Sequence, residues 1–457
     1  MLFPPGFIQS IQHCTGFNEP GFEAVHQSGE QVTAIRVNAA KTNAGILQQH
    51  LPFLQKVPWS GQGYYLQQRP SFITDPLFHA GAYYVQDASS MFVEQALLQT
   101  TDVTQPLHVL DLCAAPGGKS TLLQSLIHPQ SLLVSNEVIK PRAAILAENM
   151  SKWGAANVIV TNNDPRDFQR LPGFFDVIVV DAPCSGSGLF RKDMDAVNEW
   201  SLQNVALCSQ RQQRILADVL PALKQGGTLI YATCSYSAEE DEAITDWLVE
   251  TQQMQGITLS VPTGWGIVTT ASPVHNASGY RFYPDQVRGE GFFIAAFKKI
   301  EGLQQYQHGK QKNKIEKLTS KQISSLNAWV ANTTAHIFIQ QQDWVLAFPK
   351  PLEQQLLAIQ NNLYIKKAGI NTGTLVREAL IPGHELAISN IINNGVAAIT
   401  VDKDTALQYL RKQDIVPHTT AKGWALVKYN QLALGWIKIL ANRANNYYPK
   451  EWRILHK

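Results

Sequence analysis

This chain of 457 residues has little of what marks membrane-spanning, secreted, disulfide-rich or metal-binding proteins. No apolar run approaches the roughly 20 residues that a membrane-spanning helix requires. The start of the chain has no basic segment ahead of its apolar residues, so we expect no signal peptide. The five cysteines are odd in number and lack a C-x-x-C spacing, which disfavours both a disulfide framework and a metal site. These absences predict a protein of the reducing cytoplasm that contacts no membrane and binds no metal.

Charge is also scarce, and it is unevenly placed. Charged residues make up 16% of the chain and the formal net charge is +2, so composition alone indicates no nucleic-acid partner. Residues 421–457, however, hold seven Lys or Arg against Glu451 alone, a balance of +6. A solvated surface is one interpretation, but interleaved aromatic residues favour RNA contact, because phosphates pair with cations and bases stack on rings. These aromatic residues are Trp424, Tyr429, Trp436, Tyr447, Tyr448 and Trp452.

The length predicts several domains, because a single core seldom grows beyond about 250–300 residues. From residue 107 onward, apolar strand-like runs alternate with helical segments. This alternation predicts an α/β fold with a parallel sheet and crossover helices. The predicted strands are residues 107–113, 132–137, 158–164, 175–181 and 227–233, with a late strand at 289–297.

The turn after the first predicted strand indicates a nucleotide-type ligand. Residues 116–118 are Pro-Gly-Gly, which forces a tight turn, and Ser120 is a good N-cap for the helix that follows. A Walker A loop needs glycine where Cys113 stands, and the pattern G-x-G-x-x-G is absent as well. The loop therefore lacks a phosphate cradle, and it suits a ligand that carries no phosphate, such as S-adenosylmethionine. An ordinary tight turn is the alternative for the loop taken alone.

Two further motifs decide between these interpretations. Residues 181–188 are Asp-Ala-Pro-Cys-Ser-Gly-Ser-Gly and residues 231–235 are Tyr-Ala-Thr-Cys-Ser. Together with Asp-Leu-Cys-Ala-Ala-Pro-Gly-Gly-Lys at 111–119, they resemble the NOL1/NOP2/Sun family of RNA cytosine-5 methyltransferases. Near the C-terminus, residues 432–438 and 445–453 resemble the RsmF branch of that family, which modifies small-subunit ribosomal RNA.

The resemblance implies a Rossmann-like class I S-adenosylmethionine-dependent methyltransferase domain between two smaller RNA-binding domains. The expected divisions are residues 1–90 for the N-terminal domain, 91–300 for the catalytic domain, 301–370 for a linker and intermediate domain, and 371–457 for a PUA-like domain. The Arg-Val-Asn element at 36–38 resembles one that is thought to help hold RNA in this family, and plain packing is the alternative for each of these residues.

The resemblance also implies how the cofactor is bound. An acid at the tip of the second strand of such a fold accepts from ribose hydroxyls, which is the expected role of Glu137. Asp164 is expected beside the adenine amine, and Asp181 is expected to border the cofactor. The loop supplies the remaining cofactor contacts: Cys113, Ala114, Ala115, Pro116, Gly117, Gly118 and Lys119.

Two cysteines fit the chemistry of cytosine methylation. C5 of cytosine becomes nucleophilic when a thiolate adds to C6, and that thiolate leaves after methyl transfer and loss of the C5 proton. Cys184 and Cys234 follow the fourth and fifth predicted strands, whose ends face one crevice. The resemblance makes Cys234 the nucleophile and Cys184 the group that helps break down the adduct, with Asp181 holding N3 of the base. DNA cytosine methyltransferases instead use the position of Cys184.

We therefore expect a monomeric enzyme that methylates cytosine C5 in 16S ribosomal RNA of the small ribosomal subunit. A tRNA cytosine-5 methyltransferase and a non-catalytic ribosome-assembly factor remain alternatives, although the complete loop and both cysteines disfavour the second. An N6-amino methyltransferase is disfavoured because Asp-Ala-Pro-Cys at 181–184 replaces its Asn/Asp-Pro-Pro-Tyr motif. Asp285 stands where the family usually has His, so we infer nothing about RNA positioning from it.

Overall fold

The computed structural model describes residues 3–307, 315–417 and 419–455. Within these ranges the chain forms four β-sheets. None of the helices in the same ranges has the length and apolarity that a membrane crossing requires.

The N-terminal part packs a small sheet between short helices. Its elements are α1 (Phe7–Ile11), α2 (Glu19–Gln27), β1 (Ala34–Val37), α3 (Ala44–Gln48), β2 (Phe53–Lys56), β3 (Gly63–Leu66), α4 (Pro76–His79) and β4 (Tyr83–Val85). The four strands are antiparallel, in the order β2-β3-β1-β4. Strand β1 therefore lies inside this sheet, with all four of its residues buried.

The central part carries the largest sheet. Its elements are α5 (Val93–Thr100), β5 (His108–Asp111), α6 (Gly118–Leu126), β6 (Leu132–Asn136), α7 (Lys140–Trp153), β7 (Val158–Thr161), β8 (Phe175–Asp181), α8 (Met194–Glu199), α9 (Leu202–Val219), β9 (Leu223–Thr233), α10 (Glu242–Gln252), β10 (Met254–Ile257), β11 (Val268–Ala271), β12 (Ser278–Phe282) and β13 (Phe292–Lys299). Five strands are parallel in the order β7-β6-β5-β8-β9. Strand β13 pairs antiparallel with β9, as the late strand of the sheet.

Helices cover both faces of this sheet, which explains why its strands are continuous apolar runs. Successive residues alternate between two buried clusters: Val109 and Val177 face one, and Leu110 and Ile178 face the other. The predicted α/β class and the parallel order of the strands are confirmed.

Two predicted boundaries near the glycine turn and the fifth strand were wrong. Helix α6 begins at Gly118 with Gly117 as its N-cap residue, so Ser120 is not the cap. Ser120 is buried instead, and its hydroxyl donates to Asp111 Oδ2 at 2.7 Å. Strand β9 begins at Leu223, ahead of the Gly227 start that the sequence suggested.

The C-terminal part contains the remaining two sheets. Its elements are α11 (Ser320–Leu326), β14 (His336–Gln341), β15 (Trp344–Pro349), α12 (Glu353–Asn362), β16 (Ile365–Ala368), β17 (Ile370–Val376), β18 (Ala379–Pro382), α13 (His384–Ala387), β19 (Ala398–Thr400), α14 (Lys403–Leu410), β20 (Gly423–Tyr429), β21 (Leu432–Ile439) and β22 (Ala444–Asn446). One sheet has the order β14-β15-β17-β18 and the other β19-β20-β21-β22.

The expected division between residues 370 and 371 does not match these sheets. It falls at the start of β17, whose partner β15 comes from the expected intermediate domain. Strand β16 also comes from the expected intermediate domain, but it pairs antiparallel with β7 at the edge of the central sheet. The described part of 301–370 therefore divides between two sheets.

Candidate active site

The glycine loop leaves β5 at the carboxyl edge of the parallel strands. Gly117 has a φ of 119°, a left-handed conformation that glycine adopts without steric cost, and it turns the chain into α6. Helix α7 holds the loop from outside: Arg142 donates to the carbonyl of Ala115 at 2.9 Å and Asn149 to that of Pro116 at 2.8 Å. The backbone of the loop is thus fixed by side chains that do not belong to it.

The N-terminal sheet supports the same loop through Arg36. This side chain is 1% exposed and donates to Gln86 Oε1 at 3.1 Å, to the carbonyl of Gly118 at 3.3 Å and to Thr121 Oγ1. Asn38 is buried as well. Of the two roles that the sequence left open for this element, Arg36 and Asn38 have the packing role, because their side chains form the contact between the N-terminal and central parts of the chain.

The three acids predicted at strand ends lie along one edge of the sheet. Glu137 follows β6, is 3% exposed, and accepts from the backbone N–H of Ile139 at 2.9 Å. Asp164 follows β7 and accepts from the N–H of Arg166 at 3.1 Å, as the N-cap of a short 3₁₀ turn. Asp181 is the last residue of β8. Three carboxylates therefore lie at the carboxyl edge of the parallel strands, the edge from which the glycine loop also leaves β5.

Lys119 lies between this loop and the end of β8. Its Nζ atom is 2.7 Å from Asp181 Oδ2 and 5.3 Å from the centre of the Phe292 ring. Burial, the largest single effect, lowers the pKa of Lys119, but the charge and hydrogen bond of Asp181, with the charges of Asp111 and Cys234, outweigh it and raise the pKa overall. The site therefore keeps a positive charge in contact with Asp181.

Asp111 is a fully buried acid beneath the loop. Its Oδ2 atom accepts from Ser120, whereas Oδ1 is a buried oxygen without a hydrogen-bond partner. Burial raises the pKa of Asp111 to about 7, against the lowering effects of Ser120 and Lys119. The sequence predicted the strand that ends here but not this neutral-pH titration.

The two candidate thiols meet at the ends of β8 and β9. The Sγ atoms of Cys184 and Cys234 are 3.0 Å apart, and both cysteines are free. Their loops are also joined by hydrogen bonds from Gly188 N to the carbonyl of Cys234 at 2.8 Å and from Tyr236 N to Ser187 Oγ at 3.0 Å. The hydrogen bond to Cys234 and then burial raise the pKa of Cys184 well above its ordinary value. One thiol of the pair is thus held protonated beside the other.

Comparisons with known proteins agree with this geometry. Residues 98–298 match the model of the family described as 16S rRNA methyltransferase RsmB/F. Residues 3–88 match the N-terminal domain of 16S rRNA methyltransferase RsmF, and residues 396–454 match the methyltransferase RsmF PUA domain. A ribosomal RNA small subunit methyltransferase F from Escherichia coli O127:H6 is 30% identical over 438 residues, covering 92% of this chain and 89% of that protein. The chain belongs to this methyltransferase family.

Other relatives and solved structures extend the comparison. The methyltransferase F of Vibrio vulnificus strain YJ016 is 28% identical over 92% of this chain and 90% of its own length. A methyltransferase homologue from Pyrococcus horikoshii is 28% identical with a TM-score of 0.53, covering 64% of this chain and 94% of that one. NSun6 from the same organism, with SFG, is 19% identical with a TM-score of 0.55 over 65% and 99% of the two chains, and shows the fold alone.

The sequence did not predict the role of Glu240 beside the thiols of this methyltransferase. An acidic run such as residues 238–242 commonly complements the dipole of the helix that it opens, but Glu240 is fully buried ahead of α10. Its carboxylate accepts from Ser185 N at 2.8 Å, from Ser235 Oγ at 2.6 Å and from Gln212 Nε2 at 3.3 Å. The only signal in the sequence is a run of acids so soon after Cys234.

The neighbouring acids Asp241 and Glu242 are also buried, and both form ion pairs with the guanidinium of Arg281. Asp241 accepts from Thr233 Oγ1 at 2.7 Å and lies 3.1 Å from Arg281 Nη1. Glu242 accepts from Arg281 Nε at 2.7 Å and also forms an ion pair with its Nη2. This buried cluster fixes the end of β9 against β12.

Only some of the C-terminal aromatic residues are available to RNA. Trp436 and Tyr448 are buried at 0% and 1% exposure, so stacking on a base is excluded for these two. Trp424 is half-buried, with Lys438 Nζ 5.3 Å from its ring centre and the exposed Tyr447 ring at 4.4 Å. Tyr429 and Trp452 are half-buried. Among the basic residues of this segment, Lys457 lies outside the described residues.

Asp285 belongs to a contact between the N-terminal and central parts. Its Oδ2 atom accepts from Asn18 Nδ2, the residue before α2, at 3.5 Å. Burial raises its pKa. This position therefore lies in a packing contact in which Asp285 faces an amide.

Proposed function

We propose that this protein transfers a methyl group from S-adenosylmethionine to C5 of a cytosine in 16S ribosomal RNA, through a covalent adduct on Cys234. The observation that carries the proposal is the pair of free thiols 3.0 Å apart at the carboxyl ends of β8 and β9, beside Lys119 and Asp181. The RNA substrate follows from the names of the relatives. The proposal is for a monomer that acts in the cytoplasm, where its ribosomal substrate is found.

The residues around the glycine loop suit the nucleoside part of this cofactor. Glu137, Asp164 and Asp181 place acceptor oxygens at or just after strand ends, where hydroxyl and amine groups of a nucleoside can donate to them. In this proposal Glu137 accepts from the ribose hydroxyls, Asp164 from the adenine amine, and the backbone of 113–119 lies against the cofactor. When bound, S-adenosylmethionine supplies an electrophilic methyl group.

The first task of the protein is to provide a thiolate. Cys234 as a thiolate adds to C6 of the cytosine, and a sulfur–carbon bond forms while electron density moves towards N3 and C5. Asp181, 2.7 Å from Lys119, lies where it can hold the N3 edge of the base.

The second task is to release the product. After the methyl group is bound to C5, the C5 proton must leave and the bond from Cys234 to C6 must break. The hydrogen bond to Cys234 is the first cause of the raised pKa of Cys184. Once the sulfur of Cys234 is joined to carbon, its negative charge no longer opposes ionisation of Cys184. Cys184 then loses its own proton to solvent and, as a thiolate, accepts the C5 proton, while the C5–H electron pair re-forms the C5–C6 double bond and expels Cys234.

Cysteine substitutions test the proposal directly. We expect Cys234→Ala to abolish methylation and to form no covalent intermediate, since the group that adds to C6 is missing. We expect Cys184→Ala to accumulate a protein–RNA species that survives a denaturing gel when cofactor and target RNA are present. Cys208→Ala, a buried cysteine on α9, serves as the control.

Three other outcomes would change the assignment. Trapping in Cys234→Ala but not in Cys184→Ala would reverse the two roles and indicate the DNA-type mechanism. Full activity of both variants would contradict the covalent mechanism. Bisulfite sequencing of ribosomal and transfer RNA from a strain lacking the protein should show a cytosine lost from 16S RNA, whereas a loss confined to tRNA would overturn the substrate.

A further inference from the structure

We propose that Glu240 is a positioning residue for this methyl transfer: its carboxylate binds the residue that follows each thiol and so sets the distance between Cys184 and Cys234. The inference rests on the function proposed above. It adds a residue of the turn before α10 to a site that otherwise consists of strand ends and the glycine loop.

The Glu240 carboxylate accepts hydrogen bonds from both of the loops that carry the thiols. Oε1 accepts from the backbone N–H of Ser185 at 2.8 Å, and Oε2 accepts from Ser185 Oγ at 2.5 Å. Oε2 also accepts from Ser235 Oγ at 2.6 Å. Because Ser185 directly follows Cys184 and Ser235 directly follows Cys234, one rigid group joins the two loops beside the sulfur atoms.

A second layer of hydrogen bonds holds Glu240 itself. Gln212 on α9 donates to Oε1 at 3.3 Å and to the carbonyl of Pro183 at 3.1 Å. Tyr231 on β9 donates to Gln212 Oε1 at 3.1 Å and to the backbone carbonyl of Glu240 at 2.6 Å. The carboxylate is therefore held from the helix, from the strand and from both thiol loops.

Stability alone is a poor explanation for an acid at this position. Glu240 is fully buried, and burial raises its pKa against the lowering effect of its hydrogen bonds to the two serines. No Lys or Arg forms an ion pair with it within the described ranges of the chain. Burying a carboxylate without a cation costs folding free energy even when hydrogen bonds compensate in part. A demand for exact placement of the thiols explains its presence.

The charge of Glu240 also affects the pKa of Cys184. After the hydrogen bond to Cys234 and burial, the negative charge of Glu240 is a further cause of the raised pKa of Cys184. A carboxylate at this place therefore favours the thiol form of Cys184 while Cys234 attacks the base.

The first experiment compares Glu240→Gln with Glu239→Gln, an exposed acid one position earlier. Glutamine keeps the shape of the side chain but replaces an acceptor oxygen by a donor. A misplacement of about 1 Å can cost about 100-fold in rate, so we expect kcat at least tenfold lower for Glu240→Gln, with the KM for RNA and the cofactor affinity within twofold. Glu239→Gln should match the wild type. A kcat of Glu240→Gln within twofold of the wild type would overturn the inference.

A second set of variants keeps the inference testable if Glu240→Gln fails to fold. Ser235→Ala removes one link and leaves the carboxylate with Ser185, so it should lower kcat in the same way. Where both single variants fold, the double variant Glu240→Gln/Ser235→Ala should lower kcat by less than the product of the two single reductions, because both substitutions act on one contact. Multiplying effects would contradict the shared role.

A thiol titration separates positioning from a merely structural role. In a Cys234→Ala background, the pH dependence of iodoacetamide labelling at Cys184, read by mass spectrometry, should shift to lower pH when Glu240→Gln is added. An unchanged profile would refute the electrostatic part. If Cys184→Ala traps RNA while Glu240→Gln retains full activity, the proposed function stands and this inference falls. If both cysteine variants retain full activity, the proposed function itself fails.

Discussion

The guanidinium of Arg36 on β1 donates a hydrogen bond to the carbonyl oxygen of Gly118, the first residue of α6, at 3.3 Å. The same side chain donates to the carbonyl of Thr121 at 3.3 Å and lies 4.6 Å from the centre of the Trp153 ring. The N-terminal sheet thus supports the helix that begins at the proposed cofactor loop. Burial lowers the pKa of Arg36 to about 9, so it remains charged near neutral pH.

Replacing Arg36 should loosen this loop. Arg36→Ala removes the hydrogen bonds of a charged donor to the carbonyls of Gly118 and Thr121, which keep Thr121 Oγ1 and Ser125 Oγ as donors, and a hydrogen bond to a charged group contributes about 1.5–3 kcal/mol. We expect the free energy of unfolding in urea to fall by about 2–4 kcal/mol and cofactor affinity by calorimetry to weaken. Arg211→Ala, on the exposed side of α9, is the control. Unchanged affinity in a folded Arg36→Ala would separate the N-terminal sheet from the cofactor loop.

Glu137→Ala should weaken the binding of S-adenosylmethionine. Hydrogen bonds to a charged acceptor contribute about 1.5–3 kcal/mol, so calorimetry should show a Kd about 10- to 100-fold higher. Glu250→Ala, whose side chain is 72% exposed, controls for a general loss of charge. A folded Glu137→Ala with wild-type affinity would remove this residue from the ribose contact.

Asp111 should make stability depend on pH in an unusual direction. Its folded pKa of about 7 lies above the ordinary 3.8, so between these values the folded state binds the extra proton. Stability from this group is therefore lost as pH rises through the folded pKa. From pH 5 to pH 8 in the absence of cofactor, we expect wild type to lose about 2–3 kcal/mol relative to Asp111→Asn in urea unfolding. Parallel pH dependence in the two proteins would contradict this titration.

The exposed face around Trp424 should contribute RNA affinity. Lys438→Ala should weaken RNA binding and lower its salt slope by about one, and Trp424→Ala should weaken it with the slope unchanged. Lys403→Ala, an exposed lysine at the start of α14, is the control. Filter binding over a salt series measures all three. If Lys438→Ala behaves as Lys403→Ala does, the RNA lies elsewhere. Point variants are preferable to a deletion of residues 371–457, because such a deletion would remove β17 from its pairing with β15.

Local signals in the sequence predicted much of this molecule correctly. Strand β8 at 175–181 has the predicted bounds, because it is an almost unbroken apolar run. Cys184 and Cys234 were expected to meet because carboxyl ends of neighbouring parallel strands share one edge, and the structure brings them to 3.0 Å. Their chemical roles stay predictions.

Contacts between distant segments were not predictable in the same way. Arg36 and Gly118 are 82 positions apart, and nothing near Arg36 shows that its charge is buried. Glu240 and Glu242 belong to an acidic run just before a helix, a place where acids are usually exposed. Their side chains instead turn inward, Glu240 to Ser185 and Glu242 to Arg281.

By itself, the sequence determined the parallel α/β sheet, the glycine loop and the two cysteine motifs, since backbone preference and hydrophobic period act over a few residues. Only the tertiary structure decided which side chains with polar groups are buried: Arg36 beneath the loop, Glu240 beside the two thiols, and Trp436 inside the C-terminal sheet. The physical reason is that desolvation depends on what packs against a group, and that is decided by segments far away along the chain.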